Sequence, residues 1–121
     1  MSEQQVQPGD VRGYHAHIYY DAATRPAAER LREEIGTRFT VELGRWHDEA
    51  VGPHPTSMYQ VAFAAAEFPN LVPWLMLNHG SLTVLLHPQT GDAYSDHADN
   101  AAWLGGKLPL RLDGLRRLRA R

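Results

Sequence analysis

The order of two hydrophobic periodicities along the chain is the feature that most restricts its fold. Four segments alternate apolar and polar residues with the two-residue period of a β-strand, and two segments space their apolar residues as an α-helix does. The strand-like segments are residues 13–20, 37–47, 57–64 and 81–87, and the helix-like segments are residues 25–35 and 67–78. The resulting order, β-α-β-β-α-β, is that of the split βαβ or ferredoxin-like motif. We therefore predict an α+β domain in which both helices cover one face of a four-stranded antiparallel sheet.

Local signals place the ends of the two helices. Thr24 is the expected N-cap of the first helix, and Gly36 follows its last turn. In the second helix Asn70 is the predicted N-cap, which would put Pro73 in the first turn, where proline is tolerated. Residues 96–104 are predicted to form a short helix or an irregular cover.

Composition indicates an ordinary globular chain. Of its 121 residues 43% are hydrophobic and 21% are charged, and the net charge of −2 gives no reason to expect nucleic acid or acidic lipid as a partner. There is no cysteine, so metal or proton chemistry must come from the seven histidines together with Asp or Glu. We predict a flexible tail over residues 1–12, one domain over 13–106 and a basic extension over 107–121. The polar N-terminus and the lack of a long apolar stretch predict a cytoplasmic protein with no membrane span.

Strand parity brings three histidines to one face of the predicted sheet. His15 and His17 lie two residues apart, so their side chains share a face of the first strand. The helix-facing set is apolar, and by elimination these two and His87 point to the other face; the apolar set is Ala16, Ile18, Val61, Phe63, Leu82, Val84 and Leu86. The first and fourth strands are neighbours in this fold, so the three imidazoles could hold iron, zinc or copper. The alternative is a strand with partly exposed histidines and a strand-end histidine before a proline.

The remaining candidate residues lie in loops or at strand ends. His54 stands between two prolines that fix its backbone, which suits proton transfer or substrate contact but is also typical of a surface turn. His97 is a second candidate for the same chemistry. Arg45, Trp46 and His47 are candidate substrate-binding residues, since they offer a carboxylate partner, an aromatic ring and an imidazole. Solvated side chains and core packing are the alternatives for these three.

Several segments resemble the DOPA 4,5-dioxygenase family. They are YHAHIYY (14–20), GRWHDEAVGPHP (44–55), WLMLNHG (74–80), LHPQTGD (86–92), DH (96–97) and WLG (103–105). The resemblance implies a small extradiol ring-cleaving dioxygenase with non-heme Fe(II), acting on a catechol such as DOPA and on dioxygen. It also implies a ferredoxin-like fold and a dimer.

The resemblance leaves the roles of single residues open. The ligand set of His15, His17 and His87 is predicted from strand parity, not carried over from the family. His54 or His97 is expected to take a phenol proton and later return it. If two histidines and one carboxylate hold the metal instead, the third ligand would be one of Glu42, Glu49 and Asp96.

Two other functions fit the same pattern. One is a cofactor-free or heme-handling monooxygenase on this scaffold, and the other is a non-enzymatic module that binds a small ligand or a metal. The sheet face without helices is expected to be uncovered in one subunit, which predicts a symmetric homodimer that closes the site.

Overall fold

The computed structural model describes residues 7–119 and places nine regular elements along them. They are β1 (Tyr14–Tyr19), α1 (Arg25–Arg38), β2 (Glu42–Leu43), β3 (Met58–Phe63), α2 (Phe68–Asn78), β4 (Thr83–Pro88), α3 (Ala93–His97), β5 (Ala102–Leu104) and α4 (Asp113–Arg119). Two 3-10 turns, Pro8–Asp10 and Ala65–Glu67, precede β1 and α2. Residues 1–6 of the predicted flexible tail lie outside the described residues. No helix over residues 7–119 is long and apolar enough to cross a membrane.

The strands form one antiparallel sheet in the order β2-β3-β1-β4-β5. The long strand β1 lies at the centre and pairs with β3 on one side and β4 on the other. The predicted count of four strands is therefore wrong by one, because residues 102–104 add an edge strand to β4. These residues had been assigned to a short helix or irregular cover. In the structure the short helix α3 ends at His97, before this strand begins.

One face of the sheet, here called the helix face, carries the main hydrophobic core. Both α1 and α2 pack on it, and the buried residues that they share with β1, β3 and β4 include Ala16, Ile18, Ala28, Leu31, Ile35, Tyr59, Val61, Leu71, Leu75, Val84 and Leu86. The alternation that predicted this face is confirmed in β1, β3 and β4. Burying this apolar surface is the main source of stability for a domain of this size.

The second strand is much shorter than its sequence pattern predicted. The helix α1 continues through Gly36 to Arg38, where a strand had been expected to begin at residue 37. Only Glu42–Leu43 then pairs with β3 as a strand, although the pairing resumes at an isolated bridge between His47 and Met58. Residues 37–38 thus belong to the helix, although their apolar and polar pattern also suits a strand. A pattern this short cannot distinguish a helix from a strand.

The second helix begins earlier than the predicted cap. Its N-cap is Glu67 and its first residue is Phe68, so Asn70 lies inside the first turn and its side-chain amide donates to the Glu67 carboxylate at 2.8 Å. Proline at position 69 occupies the first turn, and Pro73 lies in the helix interior, which corrects both assignments.

The other face, here called the histidine face, is covered within the chain. Tyr19, Met58 and Leu85 form a small second core, and four partly buried residues from the C-terminal part pack on it: Ala101, Trp103, Leu108 and Leu110. The backbone N–H of Arg111 donates to the carbonyl of Pro53 at 2.8 Å and so joins this segment to the loop before β3. The expectation that this face is uncovered in one subunit is therefore wrong, because the segment after β5 packs Leu108 and Leu110 on part of it.

Candidate metal centre

Three histidines from the two central strands meet on the histidine face. His15 lies directly opposite His87 in the pairing of β1 with β4, and His17 is one strand period further along β1. The Nε2 atoms of His17 and His87 are 3.0 Å apart, and one ring nitrogen from each of the three residues lies within 4.8 Å of the others. His17 and His87 are each 2% exposed, whereas His15 is half-buried. The structure thus brings together the three residues predicted from strand parity.

A second triad shares His17 with the first. It joins His17 to His54 from the loop before β3 and to His97 at the end of α3. The ring of His54 lies 4.2 Å from that of His17, and the ring of His97 lies 4.1 Å from that of His87, measured between centroids. These five residues are called the histidine cluster below. Either triad could hold a metal ion, since each offers three nitrogen donors at close range.

Backbone carbonyls fix the protonation of two rings in the cluster. Nδ1 of His87 donates to the carbonyl of Pro88 at 2.9 Å, and Nδ1 of His97 donates to the carbonyl of Ala93 at 2.7 Å. A carbonyl can only accept, so in each neutral ring the proton is on Nδ1 and the lone pair is on Nε2. Metal-binding histidines in proteins are usually oriented by this kind of second hydrogen bond.

A second observation supports a metal site: one ring nitrogen of His17 is buried and has no hydrogen-bond partner among residues 7–119. Because Nε2 of His87 carries a lone pair, a hydrogen bond at 3.0 Å needs the proton of His17 on its own Nε2. Nδ1 of His17 is then a buried acceptor, and it has no partner among residues 7–119. Two nitrogen ligands about 2.1 Å from one ion and at right angles to it would themselves be about 3.0 Å apart. The contact is therefore as close as two adjacent ligands of one ion.

Burial favours the neutral form of four histidines, His15, His17, His54 and His87, by lowering the pKa of each. It lowers the pKa of His17 well below the usual value, and neighbouring histidines lower it further. The pKa of His54 and the pKa of His87 are both lowered to about 4, and burial is the largest cause for each. For His54 the next cause is the charge of His97. The pKa of His15 is lowered by burial and by His97. Neutral imidazole is the form that binds metal, so the site is prepared for an ion rather than for protons.

Two partners of the cluster escaped the sequence reasoning. The side-chain amide of Gln89 donates to Nε2 of His15 at 2.7 Å, and the hydroxyl of Tyr19 lies 2.7 Å from Nδ1 of His54. The signal was present, because Gln89 follows His87 by two residues and Tyr19 follows His17 by two, which puts each on the histidine face. His15 is thus the member of its triad whose Nε2 has its partner outside the cluster.

Carboxylates stay at the edge of the cluster. Asp96 is buried, but its oxygens accept from the backbone N–H of Thr90 at 3.0 Å and from its hydroxyl at 2.6 Å. Its negative charge opposes the lowering of the pKa of both His15 and His87. Glu42 and Glu49 are exposed. Over residues 7–119 the triads that could hold an ion consist of histidine alone.

The three candidate substrate-binding residues separate in space. Trp46 packs on the helix face, where its ring contacts Tyr59 and lies under the guanidinium of Arg25, so the structure does not bring it to the cluster. Arg45 is exposed. His47 pairs with Met58 across the bridge to β3, which puts it on the histidine face, and its charge contributes to the lowered pKa of His54.

Known proteins resemble this chain over nearly its whole length. The model of the Dopa 4,5-dioxygenase family matches residues 14–114. A DOPA 4,5-dioxygenase from Amanita muscaria is 32% identical over 93% of this chain and 53% of its own length. A 21.2 kDa uncharacterised protein from Botryotinia fuckeliana is 33% identical over 97% of this chain and 72% of its own length. The crystal structure of a proposed dioxygenase from Nostoc punctiforme is 53% identical, with a TM-score of 0.92, and the match covers 94% of this chain and 99% of that one.

These matches place the chain among dioxygenase-like proteins, and a buried cluster of histidines that could hold a metal ion is consistent with that class. In particular, the chain belongs to the Dopa 4,5-dioxygenase family, which confirms the resemblance seen in its motifs. It spans about half the length of the Amanita enzyme.

Proposed function

We propose that this protein is a non-heme Fe(II) dioxygenase that opens the ring of a catechol such as DOPA by extradiol cleavage, on a ferredoxin-like scaffold. The observation that carries the proposal is the 3.0 Å approach of Nε2 of His17 to Nε2 of His87 in a member of a dioxygenase family. His15 completes the proposed ligand set. Bound Fe(II) would supply a Lewis acid for the catechol oxygens and a binding position for dioxygen.

The protein's own residues then exclude water and move protons. Trp103, Leu108 and Leu110 cover the histidine face and limit access of solvent from that side. His54 is the proposed general base: when its Nδ1 proton is donated to the oxygen of Tyr19, the lone pair on Nε2 can accept a phenol proton. His97 presents an Nε2 lone pair beside His87 and is the second candidate for this role.

The protein is first loaded with Fe(II) under anaerobic conditions. Its oxygen consumption is then measured in air-saturated buffer. We expect about one iron per chain, uptake of dioxygen with a catechol and a yellow ring-cleavage product. His17→Ala should lose both the iron and the turnover, while His79→Asn, whose ring bonds to the carbonyl of Leu82 away from the cluster, should keep both. Turnover that survives a strong chelator would instead indicate a cofactor-free monooxygenase. Catechol binding without oxygen uptake would indicate a binding module.

A homodimer is the predicted assembly. Because Leu108 and Leu110 pack on the histidine face, a partner is not needed to cover that part of it. The apolar side chains left at the surface of α2, Phe68, Met76 and Leu77, are the better support for association. Sedimentation of a monomer at micromolar concentration would refute the dimer.

A further inference from the structure

Asp96 is a buried carboxylate beside the histidine cluster, and no cation of the described chain pairs with it. Its side chain is 1% exposed, and it takes part in none of the ion pairs within residues 7–119. Its two side-chain hydrogen bonds there come from one neutral residue, Thr90, through the backbone N–H and the hydroxyl. A charge removed from water without an opposite charge is unfavourable, because hydrogen bonds replace only part of its hydration. The carboxylate therefore needs a positive partner that residues 7–119 do not supply.

The histidine cluster has the opposite deficit when it holds a metal. Imidazole binds an ion in its neutral form, so three histidines leave both positive charges of a divalent ion uncompensated. Within residues 7–119 the sets of three donors that could hold an ion consist of histidine alone. Most of the cluster is buried, where opposite charges attract more strongly than in water. A fixed negative charge next to the cluster therefore favours the binding of an ion.

The end of β4 places Asp96 on the side of the first triad. His87, Gln89 and Thr90 lie within four residues of the chain. The first of them belongs to the first triad, the second donates to Nε2 of His15, and the third holds both oxygens of Asp96. The negative charge of Asp96 accordingly opposes the lowering of the pKa of His15 and of His87. The carboxylate thus acts on two members of this triad without being a ligand.

We propose that Asp96 is the counter-charge of a divalent metal ion bound by the first triad, and that it directs the ion to this triad rather than to the second. The inference rests on the proposed function and deepens it, because it assigns a role in metal binding to a residue that is not a ligand. The two triads share His17 and differ in their other two members. Asp96 is bonded to the segment that carries or contacts both of these members in the first triad. For His54 of the second triad, the causes of the lowered pKa are burial and other histidines.

The first test is the affinity of the protein for Zn(II), a redox-inactive ion, measured by competition with a chromophoric chelator. Asp96→Asn removes the charge and keeps the shape, since its amide oxygen can accept from the backbone N–H of Thr90 and its amide nitrogen can donate to the hydroxyl. We expect the dissociation constant for Zn(II) to rise about 10–100-fold, the usual loss when a group around the ligands of a metal is removed. Asp99→Asn removes the same charge from an exposed position just after α3 and should leave the constant unchanged.

The stability of the metal-free protein separates a role of the charge from a role in the fold. Asp96→Asn should unfold at the same urea concentration as the parent protein or at a higher one, because an uncompensated buried charge has been removed. If Asp96 served only to hold Thr90, the variant would unfold at a lower concentration and bind Zn(II) as the parent does. That outcome, or a variant that does not fold, would overturn the proposal.

Substitutions in each triad test where the ion lies. In the parent protein His15→Gln should weaken Zn(II) binding by about tenfold or more, whereas His54→Gln should change it little, because the ion is bound by the first triad. In the Asp96→Asn background the two losses should become more nearly equal, since the ion is no longer directed to one triad. Two losses that are the same in both backgrounds would show no coupling to Asp96 and would overturn the assignment.

The results also separate this inference from the proposed function. If the parent protein binds Fe(II) and consumes dioxygen with a catechol, while Asp96→Asn keeps the parent's affinity for Zn(II), the proposed function stands and this inference fails. If the parent protein binds neither ion, both fail together.

Discussion

The two faces of the sheet are built from the same three strands and differ in almost every physical respect. The helix face is apolar, and two regular helices seal it. The histidine face combines the histidine cluster with a small second core, and irregular segments together with the short helix α3 pack on it. The first face gains free energy from buried apolar surface, whereas the second holds a buried nitrogen with no partner in the described chain. Stability and chemistry have thus been assigned to opposite sides of one sheet.

The largest expected effect is that of a substitution on the histidine face, which should remove metal binding and turnover with little change in stability. His17→Ala should abolish metal binding and reduce catechol turnover to background, because it removes the residue that both triads share. The metal-free variant should unfold within about 1 kcal/mol of the metal-free parent, since the substitution removes a single hydrogen bond, to His87, together with a buried nitrogen that has no partner among residues 7–119. Metal content by atomic emission and urea denaturation measure the two effects. A variant that keeps its iron would move the site away from both triads.

The next prediction concerns the helix face. Leu75→Ala should lower the free energy of unfolding by about 2–5 kcal/mol, because Leu75 is fully buried and truncation leaves a cavity. Metal content per folded chain should not change. Leu77→Ala is the matched control on the same helix, where the side chain is 84% exposed, and should change stability little. If the first variant lost iron while still folded, the separation of the two faces would not hold.

A dependence on pH is expected from the histidine face alone. Burial holds the pKa of His54 and of His87 at about 4, below the value of about 6.5 in an unfolded chain. Between these values the unfolded chain takes up protons that the folded chain does not. The free energy of unfolding of the metal-free protein should therefore fall as the pH drops from about 6.5 towards 4, with no such change above 6.5.

Urea denaturation at several pH values would test this, with His54→Gln as the comparison. That variant removes one titrating group and should show a shallower decrease than the parent protein. Equal slopes would mean that His54 does not carry the effect.

The smallest effect is expected for Tyr19, whose hydroxyl contacts the proposed general base His54. Tyr19→Phe removes the hydroxyl that lies 2.7 Å from Nδ1 of His54. It should cost about 1 kcal/mol in stability, the usual size of one hydrogen bond, and shift the pH dependence of turnover. Tyr94→Phe, which removes a hydroxyl that accepts from Arg116 at the surface, should leave that pH dependence unchanged. A shift of equal size in both variants would contradict a specific role for Tyr19.

Sequence reasoning located the elements better than their ends. The alternation in β1, β3 and β4 gave the correct face for each buried residue, and the neighbouring positions of β1 and β4 brought His15, His17 and His87 together. The length of β2 was wrong because α1 continues through residues 36–38, and the cap of α2 was wrong because Glu67, not Asn70, precedes its first turn. The edge strand β5 was missed, since three residues are too few to show a period.

What the sequence determined by itself is which side chains share a face, because the two-residue period of a strand is a property of the backbone alone. Only the tertiary structure decided that His54 and His97 join the cluster and that Leu108 and Leu110 pack on the same face. These contacts depend on where loops and the C-terminal segment return to the sheet, and no local periodicity encodes that return. The same holds for Arg12, which precedes β1, and Glu42 of β2, which line one cavity only after the sheet has formed.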